Sequence, residues 1–348
     1  MHLPRFEYVR PDSVAHVLTL LGEWRARASI LAGGTDLLAS MGQRLAQPKV
    51  LIGIRYLPQL AGVEAAADGG LRIAAATTLS DLEHHPLLAE RFPTLKKAIN
   101  AVASRHVRNM ATLGGNLALP TRCWYTNQTE TWRNARSGCF KTDAQACHVL
   151  ATSDHCVATS SADSVPALIA HGASVILASV RGQRTVPLAD FYREDGANPT
   201  VLAPDELIIA IDVPPCADRT AFIKVTPREG IDFGLGTIAV AVAGSNRRVE
   251  RARIIVNALG SHPMPLRAAE AVIREQGLTE ASVEAAAVAA RADLGEITNL
   301  WTPAGYKRRL VRALLRRALD DVRRQKRGPA PALPAPGLPV AGEVSHAV

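Results

Sequence analysis

The sequence predicts an α+β protein: two α/β subdomains, then a C-terminal domain with a three-stranded antiparallel sheet and helices. Three observations lead there. Short strand-like runs alternate with amphipathic helical patterns up to about residue 213. Pro214-Pro215 then stops a strand and marks a boundary. Beyond it, three apolar runs come first and three long helical patterns follow. A chain of 348 residues has room for two or three domains.

In chain order, Ser13 is placed to cap a helix carrying Val14, Val17, Leu18, Leu20 and Leu21. Ser29–Ala32 is a strand running into Gly33-Gly34-Thr35-Asp36, and Val50–Ile54 is the next strand. Leu71–Ala76 is a strand, and helices are expected over 80–88 and 94–104. A second glycine pair, Gly114-Gly115, follows Ala111-Thr112-Leu113. After a cysteine-rich stretch come a helix over 162–170 and strands over 173–179, 185–188 and 205–213. The C-terminal strands are expected at 222–226, 236–243 and 251–258, and the helices at 266–275, 279–292 and 302–327. The domain bounds are therefore 1–215, with subdomains of about 1–56 and 57–215, then 216–327. The Pro/Ala/Gly-rich residues 328–348 are expected to be disordered.

Composition limits the function classes. Hydrophobic content of 47% and charged content of 21% describe an ordinary globular protein. No run of 18 apolar residues offers a membrane span, and the N-terminus lacks the apolar core of a signal peptide, so a cytoplasmic location is expected. The net charge of +8 has one source. Residues 307–327 hold ten Lys/Arg against two Asp, a difference equal to the whole +8. A single basic helix with Leu310, Leu314, Leu315, Ala318, Leu319 and Val322 on its other face reads as a docked helix, not a nucleic-acid footprint.

The two glycine pairs are the first candidate site. Glycine allows positive φ and close approach of a ligand to backbone amides, and successive N–H groups in such a turn make an anion-binding concavity. Thr35, Thr112 and Asn116 add donors. Neither pair belongs to a Rossmann fingerprint or a P-loop. Together they point to a diphosphate held from two sides, with tight structural turns as the alternative.

The second candidate is the stretch 121–157. It holds Cys123, Cys139, Cys147 and Cys156, four of the five cysteines. The remaining one, Cys216, stands apart as an isolated thiol. Five cysteines in a cytosolic chain do not make a disulfide framework. Spacings of 15, 7 and 8 intervening residues lack the close pairs of structural zinc sites. Four dispersed thiolates suit an iron–sulfur cluster, one per corner iron. Zinc with unusual spacing and four unrelated thiols are the alternatives. His148 and His155 read as neighbours of ligands.

These residues carry a family resemblance. The segments are Ala32-Gly-Gly-Thr-Asp36, Thr112-Leu-Gly-Gly-Asn116, Ala162-Asp163 with Pro166-Ala-Leu168, Asp205-Glu-Leu-Ile-Ile209, and Phe222-Ile-Lys224 leading to Arg228 and Asp232. Over about 6–319 the chain resembles the FAD-binding medium subunit of the xanthine oxidase family of molybdenum enzymes. The cysteine insert is similar to that of the β subunit of 4-hydroxybenzoyl-CoA reductases, which carries an extra [4Fe–4S] cluster. The resemblance implies an FAD-binding domain of the PCMH/vanillyl-alcohol oxidase type. It implies FAD contacts from Ile30, Leu31, Ala32, Gly33, Gly34, Thr35, Asp36 and Leu37, and from Thr112, Leu113, Gly114, Gly115 and Asn116. Asp163 would meet the ribityl or ribose part. Val102, Ile208 and Lys224 would line the flavin, with core packing the alternative for the two apolar residues. A cation at Lys224 would suit an anionic reduced flavin. No catalytic residue is expected on this chain. The resemblance further implies a heterotrimer, dimerised, with a large molybdopterin-binding subunit and a small [2Fe–2S] subunit. Reduced ferredoxin would be the electron donor. The alternatives are an oxidative molybdenum hydroxylase and, from another class, a zinc-stabilised scaffold.

Overall fold

The computed structural model describes residues 2–295 and 302–325. The tail expected to be disordered lies outside the described residues. No helix among them is long and apolar enough to cross a membrane.

The first sheet is small and parallel. Its strands are β1 (Glu7–Val9), β2 (Ala28–Leu31) and β3 (Val50–Gly53), in the order β1-β3-β2. β3 is central and buried along its whole length, as its unbroken Val-Leu-Ile run requires. The helix Val14–Trp24 lays Val17 and Leu21, four residues apart, into this core. Ser13 caps it, its hydroxyl accepting from the His16 N–H at 3.3 Å. β1 was not expected: three residues at a sheet edge show no alternation to read.

The second sheet is antiparallel. It contains β4 (Val63–Ala65), β5 (Leu71–Ala74), β6 (Ser174–Ser179), β7 (Gly182–Pro187) and β8 (Leu207–Val213), in the order β4-β5-β8-β6-β7. Phe92, Leu95, Leu168 and Phe191 fill the core between it and its helices. Two expected helices are altered by local chemistry. The one at 80–88 is two helices, Leu79–His84 and Pro86–Arg91, because Pro86 cannot continue the first. Thr78, not Ser80, is its cap, accepting from the Asp81 N–H at 3.0 Å. The helix expected over 94–104 runs over Pro93–Asn100, and Ala103 beyond it takes a positive φ of 46°.

The third sheet is antiparallel, with β9 (Arg219–Val225), β10 (Gly236–Gly244), β11 (Val249–Asn257) and β12 (Met264–Pro265) in the order β12-β11-β10-β9. The expected three strands gain a fourth of only two residues. β10 is buried on both faces. Ile238, Val240 and Val242 join a core with the helices Arg267–Gln276, Glu280–Ala289 and Ala304–Arg324. The smaller Ala239 and Ala241 face the core of the second sheet. This alternation docks the C-terminal domain onto the first part of the chain. The basic helix needs one correction. Lys307 is not on its solvated face: it is fully buried, donates to the Ala258 carbonyl at 3.0 Å, and has its pKa pushed down by burial to about 8.

Candidate functional site: a dinucleotide cavity beside a cysteine insert

A cavity of about 820 Å³ opens where the first two sheets meet, and a loop of the C-terminal domain reaches its rim. Both glycine pairs line it, but they do different things. After β2 the chain turns through Gly33 and Gly34 before the helix Leu37–Gly42. Among the described residues, the backbone N–H groups of Gly33, Gly34, Thr35 and Asp36 find no acceptor within the chain. Four consecutive unsatisfied donors at a cavity wall form a nest suited to phosphate oxygens. Gly34 takes φ +71°, a conformation other L-residues rarely adopt. A Cβ on Gly33 would overlap the Met110 carbonyl, so this glycine lets two chain segments touch.

The second pair does not follow a strand. It lies in a short helix, Leu113–Leu117, capped by Thr112. Its amides are already used. Leu113 donates to Thr77 at 3.0 Å, Gly114 to Ala75 at 2.8 Å, and Gly115 to the Thr112 hydroxyl at 3.2 Å. A Cβ on Gly114 would meet the Ala75 Cβ at 2.8 Å, so Gly114 is needed for packing on the strand segment. Gly115 is exposed towards the cavity, where a Cβ would meet only the Thr112 hydroxyl, at 3.1 Å. The expectation of amides from two sides is therefore revised. One loop offers donors, and the other offers a glycine-smooth wall.

The remaining expected residues divide as follows. Ile30, Ala32, Thr35, Asp36, Leu37, Val102, Thr112, Asn116, Asp163 and Ile208 all line the cavity. Leu31 and Leu113 do not; Leu113 is fully buried. Lys224 is also set back. Its ammonium donates to Asp163 at 2.6 Å and to the Ala101 carbonyl at 2.8 Å, which fixes Asp163 at the wall. Burial raises the Asp163 carboxyl to about 6 against the pull of Lys224. Asn116 Oδ1 accepts from the Ser164 hydroxyl at 2.6 Å, joining the glycine helix to the Asp163 segment.

Several lining residues were not expected at the site, although Arg228 and Asp232 belong to the segments that carry the family resemblance. Arg228, Ile231, Asp232 and Phe233 come from the loop after β9. Arg228 Nε pairs with Asp232 at 3.0 Å, a spacing of four that the sequence did display. Arg122 also lines the cavity, from the neck of the insert, and pairs with Asp36. Nothing local in the sequence marks it, because its partners are 86 and 111 positions away in the fold (Asp36 and Phe233).

The insert is closed at its neck by a pairing of Arg122 with Thr159, each N–H donating to the other's carbonyl at 2.8 Å. Its helix Glu130–Asn134 sends Arg133 to the carbonyls of Gln43 at 3.0 Å and Arg44 at 3.2 Å, which seats it against the segment after the first glycine loop. All four cysteines are free thiols. Lys141 donates to the Thr121 carbonyl at 2.7 Å; burial lowers its pKa, while Cys156, Cys123 and Cys139 oppose that shift. Burial pushes the Cys156 thiol up to about 11. Cys147 instead accepts from the Leu150 N–H at 3.5 Å. Among the described residues, no three His, Cys, Asp or Glu side chains stand close enough together to hold a metal ion. Four thiols are a donor set that suits an iron–sulfur cluster or zinc, but the four sulfurs are not drawn together.

Residues 4–216 match the family described as the FAD-binding domain in molybdopterin dehydrogenase. The chain belongs to the FAD-binding medium subunits of the xanthine oxidase family. Residues 221–322 of this medium subunit match the CO dehydrogenase flavoprotein C-terminal domain. It is 30% identical to the carbon monoxide dehydrogenase medium chain of Hydrogenophaga pseudoflava, over 91% of this chain and 96% of that one. It is 33% identical to the aldehyde oxidoreductase FAD-binding subunit PaoB of Escherichia coli, over 78% of this chain and 86% of that one. Among solved structures, the Hydrogenophaga pseudoflava carbon monoxide dehydrogenase superposes with a TM-score of 0.76 and 30% identity, covering 92% of this medium subunit and 98% of the other chain. The cavity fits the family's flavin: its nest carries four free donors, and its Gly115 wall has no side chain to obstruct a bound group.

Proposed function

We propose that this chain is the FAD-carrying electron-transfer subunit of a heterotrimeric molybdenum enzyme, and that its insert holds a [4Fe–4S] cluster through Cys123, Cys139, Cys147 and Cys156. The observation that carries the flavin part is the run of unsatisfied N–H groups from Gly33 to Asp36, facing a cavity large enough for a dinucleotide. In this reading the nest holds the diphosphate, Asp163 meets the ribityl or ribose hydroxyls, and Val102 and Ile208 pack on apolar parts of the cofactor. Lys224 holds the Asp163 carboxylate in place. The bound flavin supplies exchange of one or two electrons, which no side chain here can provide. The cluster part is supported by four free thiols in one insert. Large molybdopterin-binding and small [2Fe–2S] subunits are the partners.

Two directions of electron flow are open to such a subunit. The insert supports a 4-hydroxybenzoyl-CoA reductase, fed by reduced ferredoxin. The relatives favour oxidation: they are named a carbon monoxide dehydrogenase, an aldehyde oxidoreductase and a nicotine 6-hydroxylase. The deciding experiment purifies the intact complex without oxygen and counts flavin, iron and molybdenum. It then compares turnover of 4-hydroxybenzoyl-CoA with reduced viologen against turnover of aldehydes or N-heterocycles with an acceptor. Colourless protein containing zinc and no flavin would sink the proposal.

Cys139→Ser tests the cluster separately. The variant is expected to lose the reduced-state EPR signal of the [4Fe–4S] cluster while keeping its FAD, because Cys139 does not line the cavity. An unchanged spectrum would remove Cys139 from the ligand set.

A further inference from the structure

We infer that Arg122 is a cofactor-binding residue that neutralises Asp36 at the nest and presents its guanidinium to the dinucleotide's diphosphate. The inference rests on the FAD reading above and adds a residue from the insert to it. Arg122 lines the cavity. One Nη pairs with Asp36, whose own N–H belongs to the nest. Its Nε is buried and unpartnered among the described residues, while the side chain as a whole keeps 28% exposure, which leaves the Nη edge as the accessible part of the guanidinium. The Phe233 ring stacks under the guanidinium, 5.7 Å from Cζ to the ring centroid. The guanidinium is thus fixed by a carboxylate, an aromatic face and the paired insert neck, with most of its five N–H donors left over.

Electrostatics gives that arrangement a purpose. A carboxylate at a phosphate nest repels the ligand, and more so where burial lowers the effective dielectric. Arg122 cancels the charge of Asp36 and keeps unused N–H donors on its Nη edge, which is the donor geometry that suits phosphate oxygens. Its position in the chain adds a second consequence. Arg122 is one bond from Cys123, and the neck pairing with Thr159 fixes both. The residue that meets the diphosphate is therefore joined by a peptide bond to the first cysteine of the insert, which ties the seating of the cofactor to the seating of the insert.

The test uses the full chain in its complex, stripped of flavin and titrated with FAD and with riboflavin, which carries no phosphate. Arg122→Met is expected to raise the Kd for FAD about 10- to 100-fold, as for loss of a charge-assisted hydrogen bond, and to leave riboflavin within about twofold. Adding Asp36→Asn to Arg122→Met should recover part of the FAD affinity by removing the uncompensated carboxylate, a rescue that loss of packing would not give. Unchanged FAD affinity, or equal losses for FAD and riboflavin, would overturn the inference. Should Arg122→Met fail to fold, Arg122→Lys decides on the same comparison, because it keeps the charge and loses the fork. Failure of the wild-type complex to bind FAD would instead strike the flavin reading itself.

Discussion

Gly115→Val is expected to yield a folded chain that has lost its flavin. Gly115 is exposed to the cavity, and a side chain there meets only the Thr112 hydroxyl on the protein side. The isopropyl group would project into the space beside the diphosphate. Forcing extra methyl groups into a fitted site costs ~1–3 kcal/mol or more, which corresponds to a loss of about 5- to 150-fold in affinity. Flavin absorbance per protein in the purified variant measures this, and circular dichroism reports the fold. Gly114→Val is the informative contrast. Its Cβ would lie 2.8 Å from the Ala75 Cβ and 2.9 Å from the Ala75 carbonyl, so the damage should appear as lost stability or insolubility. Full flavin occupancy in Gly115→Val would show that this wall does not face the cofactor.

Below neutral pH the chain is expected to lose stability through His171. This residue ends the helix Val165–His171, is 4% exposed, and stacks edge-on to Phe92 at 5.4 Å. Neither ring nitrogen has a hydrogen-bond partner among the described residues. Burial lowers its pKa from 6.5 to about 4, with Arg253 adding to the shift and Asp218 opposing it. The folded state therefore keeps the ring neutral while the unfolded chain takes up a proton. Well above pH 6.5, from about pH 7.5 upward, neither state is protonated and the residue contributes no pH dependence. As the pH falls from 6.5 to about 4 the unfolded state gains, by about 3 kcal/mol in all at 1.36 kcal/mol per pH unit. His171→Leu removes the proton site and two unsatisfied nitrogens. Its stability advantage over the parent should widen by about 2 kcal/mol between pH 6.5 and pH 5. Denaturant midpoints measured across that range would show it; two parallel curves would contradict it.

Particular residues show where sequence reading succeeds and where it stops. Ser13 capping its helix, the buried Val-Leu-Ile run of β3 and the alternation along β10 are all local in cause, so they are legible. The family is legible too, because its motifs are contiguous. Lengths and bounds are less so: β1 and β12, of three and two residues, carry too few side chains to form a pattern.

By itself, the sequence determined that two glycine pairs and a four-cysteine insert would be the features to explain, and which residue types would meet a diphosphate. Only the tertiary structure decided which glycines are free to face a ligand. That depends on what packs behind each one: the Met110 carbonyl behind Gly33, Ala75 behind Gly114, and open cavity before Gly115. It likewise withdrew Lys224 behind Asp163 and brought Arg122 and Phe233 to the cavity. The physical reason is the same in each case. Hydrogen bonds and ion pairs are short-ranged, so a residue's role is set by neighbours in space, and chain order records those neighbours only when they lie within a few residues.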